Sequence, residues 1–235
     1  MKMNYELMKT FKSRKNKVEL IYDIDNGMKL VRKEYLNLEH CKKKETSILR
    51  ILEKHNVKVP RIIYENNNMI YMTYISDVTL LDYFLLIEND IVIDKDKAII
   101  DIFKKVFSWL EQYYQITFEY MGRRLIFYDI NFRNFLIKDD IIYGIDFEDS
   151  ISGSKEIDGG RFCAYLLTYK PILTEWKINI TAKVIDLLVD DFKYDRKSLL
   201  NEIKKELDKI NFRRWDGHRT SKVKYIISLL DSYAE

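Results

Sequence analysis

At 235 residues, 47% of them hydrophobic and 33% charged, the chain is long for one compact unit and short for two independent ones, and its composition excludes disorder. Lys and Arg number 40 against 37 Asp and Glu, and a formal charge of +3 is too balanced to argue for a nucleic-acid partner. Cys41 and Cys163 have neither CxxC spacing nor a companion His cluster, no apolar run reaches the roughly 18 residues of a membrane span, and MKMNYELMKT lacks the apolar core of a signal peptide, so a cytoplasmic protein without disulfide, zinc or membrane anchor is expected.

Three stretches open the chain and read as strands: an apolar start around Leu7 to Phe11, VELIYDI at 18–24 and MKLVRK at 28–33. Asp25-Asn26-Gly27 joins the last two, and Asn-Gly is a strong hairpin signal because both central residues must accept positive φ. Over 34–55 the period changes, with Leu38, Cys41, Ile48, Leu49 and Leu52 recurring at spacings of three and four, as on one face of a helix that also carries Glu45. Pro60 ends the connection, and RIIYE (61–65) and MIYMTYI (69–75) give two more strands around Asn66-Asn67-Asn68.

Beyond residue 80 the pattern is mostly helical. Ile100, Phe103, Phe107, Leu110 and Tyr114 share one face, and Leu199, Leu200, Ile203, Leu207 and Ile210 another. Only the centre interrupts this, where FLI (135–137) and IIYGI (141–145) flank Asp139-Asp140 as a short hairpin. Sheet first and helices later predict an α+β fold in two lobes, a five-stranded antiparallel sheet with one helix over 1–75 and a mostly helical lobe over 76–235.

The centre reads IFYDINFRNFLIKDDIIYGIDFEDS. Asp129 stands five residues before Asn134, and Asp146 follows the hairpin. Oxygen ligands of this kind suit magnesium, a hard cation that takes carboxylate, amide and phosphate oxygens. The order resembles the catalytic loop D-x-x-x-x-N and the metal-binding D-F of the protein-kinase-like superfamily. That resemblance runs in order over nearly the whole chain. It implies Asp129 as the catalytic base, Asn134 and Asp146 as magnesium ligands, and ATP or GTP as phosphoryl donor.

Glu45 is a separate indication, because a carboxylate on an apolar helix stripe is costly unless paired. Lys33, at the end of the third strand, can supply the partner, as the strand lysine of kinases pairs with a helix glutamate while contacting the phosphates. Lys29 and Arg32 stay open as alternatives for the phosphate contact. The resemblance further makes YMTYIS at 71–76 a hinge whose backbone, from Thr73 to Ile75, reads the adenine edge. It makes Asp158 in EIDGGRFCAYLL a residue that caps a helix and braces the catalytic loop. Two departures stand out: Phe127 occupies the usual His position, and without a Gly-rich loop before Gly27 the segment KSRKN at 12–16, with Ser13, is left to cover the phosphates.

The stretch from Asp146 to Asp158 is too brief for the activation segment of regulated protein kinases, and IDFE at 145–148 looks like choline kinases and aminoglycoside phosphotransferases. The expectation is a phosphotransferase acting on a hydroxyl of a small aminoglycoside-, choline- or sugar-like acceptor. Glu148 and Asp149 could meet the acceptor, and Trp176, Trp215, Tyr165 and Tyr169 serve as either core or ligand cage. The alternatives are a small atypical protein kinase without activation loop and a nucleotide-binding regulatory pseudokinase. An RNA-binding reading of RRWDGHR at 213–219 rests on a single basic-aromatic patch.

Overall fold

The computed structural model describes residues 4–36, 39–89, 94–215 and 220–232. It has the expected α+β, kinase-like architecture and falls into two compact units: residues up to Thr79 together with Asn134–Asp149, and Leu80–Arg133 together with the chain from Ser150 onward. Leu38 and residues 216–219 of the basic-aromatic patch lie outside the described residues. Among the described residues no helix is long and apolar enough to cross a membrane.

The first unit is an antiparallel sheet of β1 (Tyr5–Phe11), β2 (Asn16–Asp23), β3 (Met28–Tyr35), β4 (Ile62–Glu65) and β5 (Met69–Thr73), ordered β1-β2-β3-β5-β4, with helix α1 (Glu39–Lys54). β3 is the central strand. Its Leu30 packs with Ile21 and Tyr71 in the sheet's apolar cluster. The β2–β3 turn differs from the two-residue hairpin expected: only Gly27 takes positive φ, and the buried carboxylate of Asp23 holds the turn by accepting the N–H groups of Asp25 and Asn26. β3 keeps pairing as far as Tyr35, opposite Asn16, so α1 begins at Glu39 rather than at 34; β5 stops at Thr73 rather than 75.

The hairpin of β7 (Phe135–Lys138) and β8 (Ile141–Gly144) belongs to this unit; the two-residue strand β6 of the second unit precedes it at Leu125–Ile126. Asp139 and Asp140 both take positive φ, as a two-residue turn of this handedness requires. Thr79 bridges to Leu136, and Ile137 N–H donates to the Val78 carbonyl, which joins the hairpin to the end of the N-terminal segment.

The second unit is helical: α2 (Leu80–Asn89), α3 (Lys95–Met121), α4 (Lys155–Thr168), α5 (Glu175–Asp190), α6 (Arg196–Trp215) and α7 (Thr220–Ser232), with β6 paired to β9 (Ile151–Ser152). Asp94 caps α3 by accepting Lys97 N–H, and Gly122 ends it in the left-handed conformation. The core is aromatic. Phe162 of α4 meets Phe103 and Phe107 of α3 edge-on at 4.9 and 4.8 Å, and Phe132 at 4.5 Å.

Helices α4 and α6 approach closely because α4 carries Gly159 and Gly160. A Cβ on Gly160 would stand 2.5 Å from the Glu202 Cβ and 2.8 Å from backbone atoms of Glu202 and Ile203, none of which can step aside without moving α6. Gly160→Ala is therefore expected to lower stability by on the order of 3 kcal/mol. The check is the denaturant midpoint beside that of Gly122→Ala, whose new Cβ meets open space at positive φ and should cost about 1 kcal/mol.

Candidate active site

Lys33 lies in the middle of the sheet, opposite Val18 of β2 and Ile70 of β5, and is 4% exposed. An ammonium so placed must be compensated. Its Nζ donates to Glu45 Oε2 at 2.6 Å and Asp146 Oδ1 at 2.7 Å, with Glu148 Oε2 at 3.4 Å. Burial alone would depress the lysine pKa, but Glu45, then Asp146 and Glu148, outweigh it and raise it. Glu45, 1% exposed, also accepts the Tyr35 hydroxyl at 2.6 Å; burial pushes its carboxyl up, and Lys33 pulls it back. Arg32 points elsewhere, to Glu19 and Tyr5, and Lys29 lies 5.8 Å from the ring of Tyr74.

Asp146 stands two residues past β8 with φ 67, a left-handed conformation costing about 1–3 kcal/mol and kept only where surroundings over-determine it. Asn134 ends the short 3₁₀ turn Phe132–Asn134, and its carbonyl accepts Ile145 N–H at 3.0 Å, so the hairpin sets Asn134 and Asp146 at its open end. An amide and a carboxylate with over a third of its side chain exposed are a donor set of the kind magnesium takes.

Asp129 belongs to the second unit. The N–H groups of Phe127 and Tyr128 donate to the fully buried Asp158 at 2.7 and 2.8 Å, and Tyr114 adds its hydroxyl at 2.9 Å. Tyr128 has φ 65, and the Arg161 guanidinium lies 3.9 Å from its ring centroid. Asp129 N–H donates to the Phe127 carbonyl at 2.9 Å. Phe127, at the usual histidine position, is core: its ring meets Trp109 and Tyr113 edge-on. Asp158 does not cap α4, as the sequence suggests; Ser154 stands at the cap and Asp158 inside the first turn. Burial raises the Asp158 carboxyl to about 6 against the pull of its three donors.

Beyond Asp129 the loop is held by Tyr169. Its hydroxyl donates to Asn131 Oδ1 at 3.0 Å and accepts Phe132 N–H at 3.1 Å. Tyr169 is thus a buried bracing residue, Tyr165 is buried beside it, and Trp176 stacks on Phe84 while donating to Asp96, so these three side chains serve the core. The side chain of Trp215 lies outside the description. Glu148 and Asp149 do not offer themselves to an acceptor: Glu148 is buried on Asn16 and Lys33, and Asp149 pairs with Lys15. Ser13 is exposed and accepts Asn16 N–H. Thr73 N–H is committed to the Arg61 carbonyl and its hydroxyl to Arg61 N–H, while half-buried Ile75 lies past the end of β5. Sequence reasoning missed Arg161 and Tyr169 as supports of the loop, although both lie in or just after α4, at spacings of three and 11 residues from Asp158.

The model of the RIO domain matches residues 1–158, about two thirds of the chain, from β1 through the catalytic loop and the metal-binding turn to the brace Asp158. The chain belongs to the RIO domain family. RIO domains are atypical kinases of the protein-kinase-like superfamily, so this one is an ATP-binding kinase-like phosphotransferase. No curated protein matches the chain. The family supports the protein-kinase-like superfamily but not the narrower resemblance to aminoglycoside phosphotransferases and choline kinases, which rested on the short Asp146–Asp158 stretch and on IDFE, and it lends no support to a small-molecule acceptor.

The Asp158 carboxyl of this RIO domain is held above the ordinary aspartate value, so between about pH 4 and 6 the folded chain binds a proton the unfolded chain lacks, and stability falls as pH rises through that window. Asp158→Asn should remove this component. The measurement is unfolding free energy against pH for both proteins. Their difference should change by about 2–3 kcal/mol from pH 4 to 6 and be flat above, and a difference flat throughout would place the Asp158 pKa near its unfolded value.

Proposed function

We propose that this RIO domain transfers the γ-phosphoryl group of ATP to a protein hydroxyl. The observation that carries the reading is the buried Lys33 ammonium held by Glu45 at 2.6 Å beside Asp146 at 2.7 Å, which presents one fixed cation next to a metal-competent carboxylate. Lys33 rather than Arg32 or Lys29 contacts the phosphates, since Arg32 is spent on Glu19 and Tyr5. Asn134 and Asp146 hold magnesium, which neutralises charge on the transferring group. Asp129 accepts the acceptor's hydroxyl proton. With the Thr73 N–H engaged by Arg61, contact to the base edge falls to the backbone of Tyr74 to Ser76.

The support for a protein acceptor is the family, together with the brevity of the segment from Asp146 to Asp158, which fits an atypical kinase without activation loop. Labelled ATP with magnesium, offered to the chain itself and a generic protein on one side and to choline, aminoglycosides and sugars on the other, tests it. Label on protein and none on the small alcohols is expected; the reverse pattern would restore the small-molecule reading.

Asp129→Asn should cut turnover about a thousandfold while leaving ATP affinity within a few fold, because the proton acceptor is lost and the nucleotide site is not. Near-normal turnover in that variant would take the base role from Asp129. Asp146→Ala should abolish the extra stabilisation that ATP gains from magnesium; for the unmodified protein, Mg·ATP at about 100 times its Kd stabilises by about 2.7 kcal/mol in all, and ATP alone should give less. Thermal melting with ATP, with and without magnesium, reads this directly.

A further inference from the structure

Glu148 takes no part in the scheme above, yet it is 4% exposed and in contact with several parts of the first unit. Its Oε2 accepts the Asn16 side-chain N–H at 2.6 Å and lies 3.4 Å from Lys33 Nζ; its Oε1 lies 3.7 Å from Lys15 Nζ; its backbone carbonyl accepts from Lys44 Nζ on α1 at 2.9 Å. Next to it, Asp149 takes Lys15 through both oxygens at 2.7 Å. Three separate pieces, the loop 12–16, the central strand and the helix, therefore converge on one residue.

The contact lies where the loop enters β2. Lys12, Ser13, Arg14 and Lys15 are all exposed, and of residues 12–16 only Asn16 is buried. Its side-chain Oδ1 is buried without a hydrogen-bond partner among the described residues. The backbone of Asn16 is placed by pairing with Tyr35, and its side-chain amide, desolvated on one side, is oriented by the bond to Glu148 on the other. The ammonium of Lys33 gains as well. It has three hydrogens to give. Glu45 and Asp146 engage it here, and Glu148 at 3.4 Å would go on compensating its charge if Asp146 held a cation.

We propose that Glu148 is a positioning residue for nucleotide binding, which fixes the 12–16 loop through Asn16 and holds Lys33 through charge. The inference rests on the reading of Lys33 as the phosphate contact. Its mark is an effect on nucleotide affinity rather than on the chemical step, because Glu148 reaches the nucleotide only through the loop and the lysine.

Calorimetric Mg·ATP binding and steady-state kinetics on the full chain test it, with Glu148→Ala, Glu148→Gln, Asn16→Ala, the Asn16→Ala/Glu148→Ala double variant and Lys33→Ala. Glu148→Ala should raise Kd and KM for ATP about tenfold or more, with kcat within about threefold. Gln can still accept from Asn16, so Glu148→Gln should recover part of the loss. Asn16→Ala should weaken binding, and the double variant should be no worse than Glu148→Ala. Where Glu148→Ala fails to fold, Glu148→Gln and Asn16→Ala carry the comparison. Unaltered affinity in Glu148→Ala, or in the Gln and Asn16 variants, while Lys33→Ala loses ATP, would overturn this role alone, as would multiplying effects of Asn16→Ala and Glu148→Ala. Full ATP affinity in Lys33→Ala would bring down the lysine reading and this inference together.

Discussion

A lysine ammonium buried in the central strand of a sheet is the constraint around which the first unit is arranged. Lys33 has 6% of its side chain exposed, and an isolated charge there would cost far more than a domain's net stability. Compensation comes from three carboxylates on two segments of the chain: Glu45 from α1, and Asp146 and Glu148 from the segment after β8. The helix and the hairpin thus each have an ionic reason to sit where they do on the sheet. Such a cluster stabilises little relative to an apolar core of the same volume, but it is intolerant of error, since removing any member strands the others. That intolerance suits a site in which a cation and a carboxylate must keep a fixed relation.

In the second unit a buried carboxylate is held by hydrogen bonds, with no ion pair within 4 Å of it among the described residues. Asp158 is fully buried and satisfied by two successive backbone N–H groups and a tyrosine hydroxyl. Holding adjacent amides on one carboxylate dictates the local backbone, and Tyr128, between Phe127 and Asp129, takes a left-handed conformation there. Asp146 of the first unit also has positive φ. In each case a residue at or next to the proposed chemistry carries local strain that its surroundings hold in place.

Much of this was readable in the chain and some was not, for physical reasons. Alternation and turn residues gave away the five strands, and the apolar stripe with Glu45 on it announced a buried carboxylate. The start of α1 was misread because Tyr35 belongs to two patterns, pairing with Asn16 in β3 and donating its hydroxyl to Glu45. Choosing among Lys29, Arg32 and Lys33 needs the strand register: Glu19 stands directly across from Arg32 and claims it. Glu148 reads as a carboxylate for the acceptor, because it lies in a segment without periodicity, where its burial on Asn16 and Lys33 leaves no trace in sequence. Asp158 was assigned to the right loop but the wrong local position, since an Asp at a helix start is equally good as a cap and as a first-turn acceptor.

The unsupported branch has the same kind of cause. The roles proposed for Asp129, Asn134 and Asp146 concern the phosphoryl group and its metal, which are common to every acceptor, so their spacing separates kinases from other proteins and not one kinase from another. The IDFE string at 145–148 looked like a discriminating feature, yet its glutamate, two residues beyond Asp146, turns inward to Asn16 and Lys33, the side of the site proposed to hold the nucleotide. Acceptor choice has to be written elsewhere in the chain. The family match ends at residue 158, three residues after α4 begins, and the helices that follow are built on the close α4–α6 crossing at Gly159 and Gly160. The 77 residues that follow lie outside that match, so the family argument, and the kinase reading drawn from it, rests on the first 158.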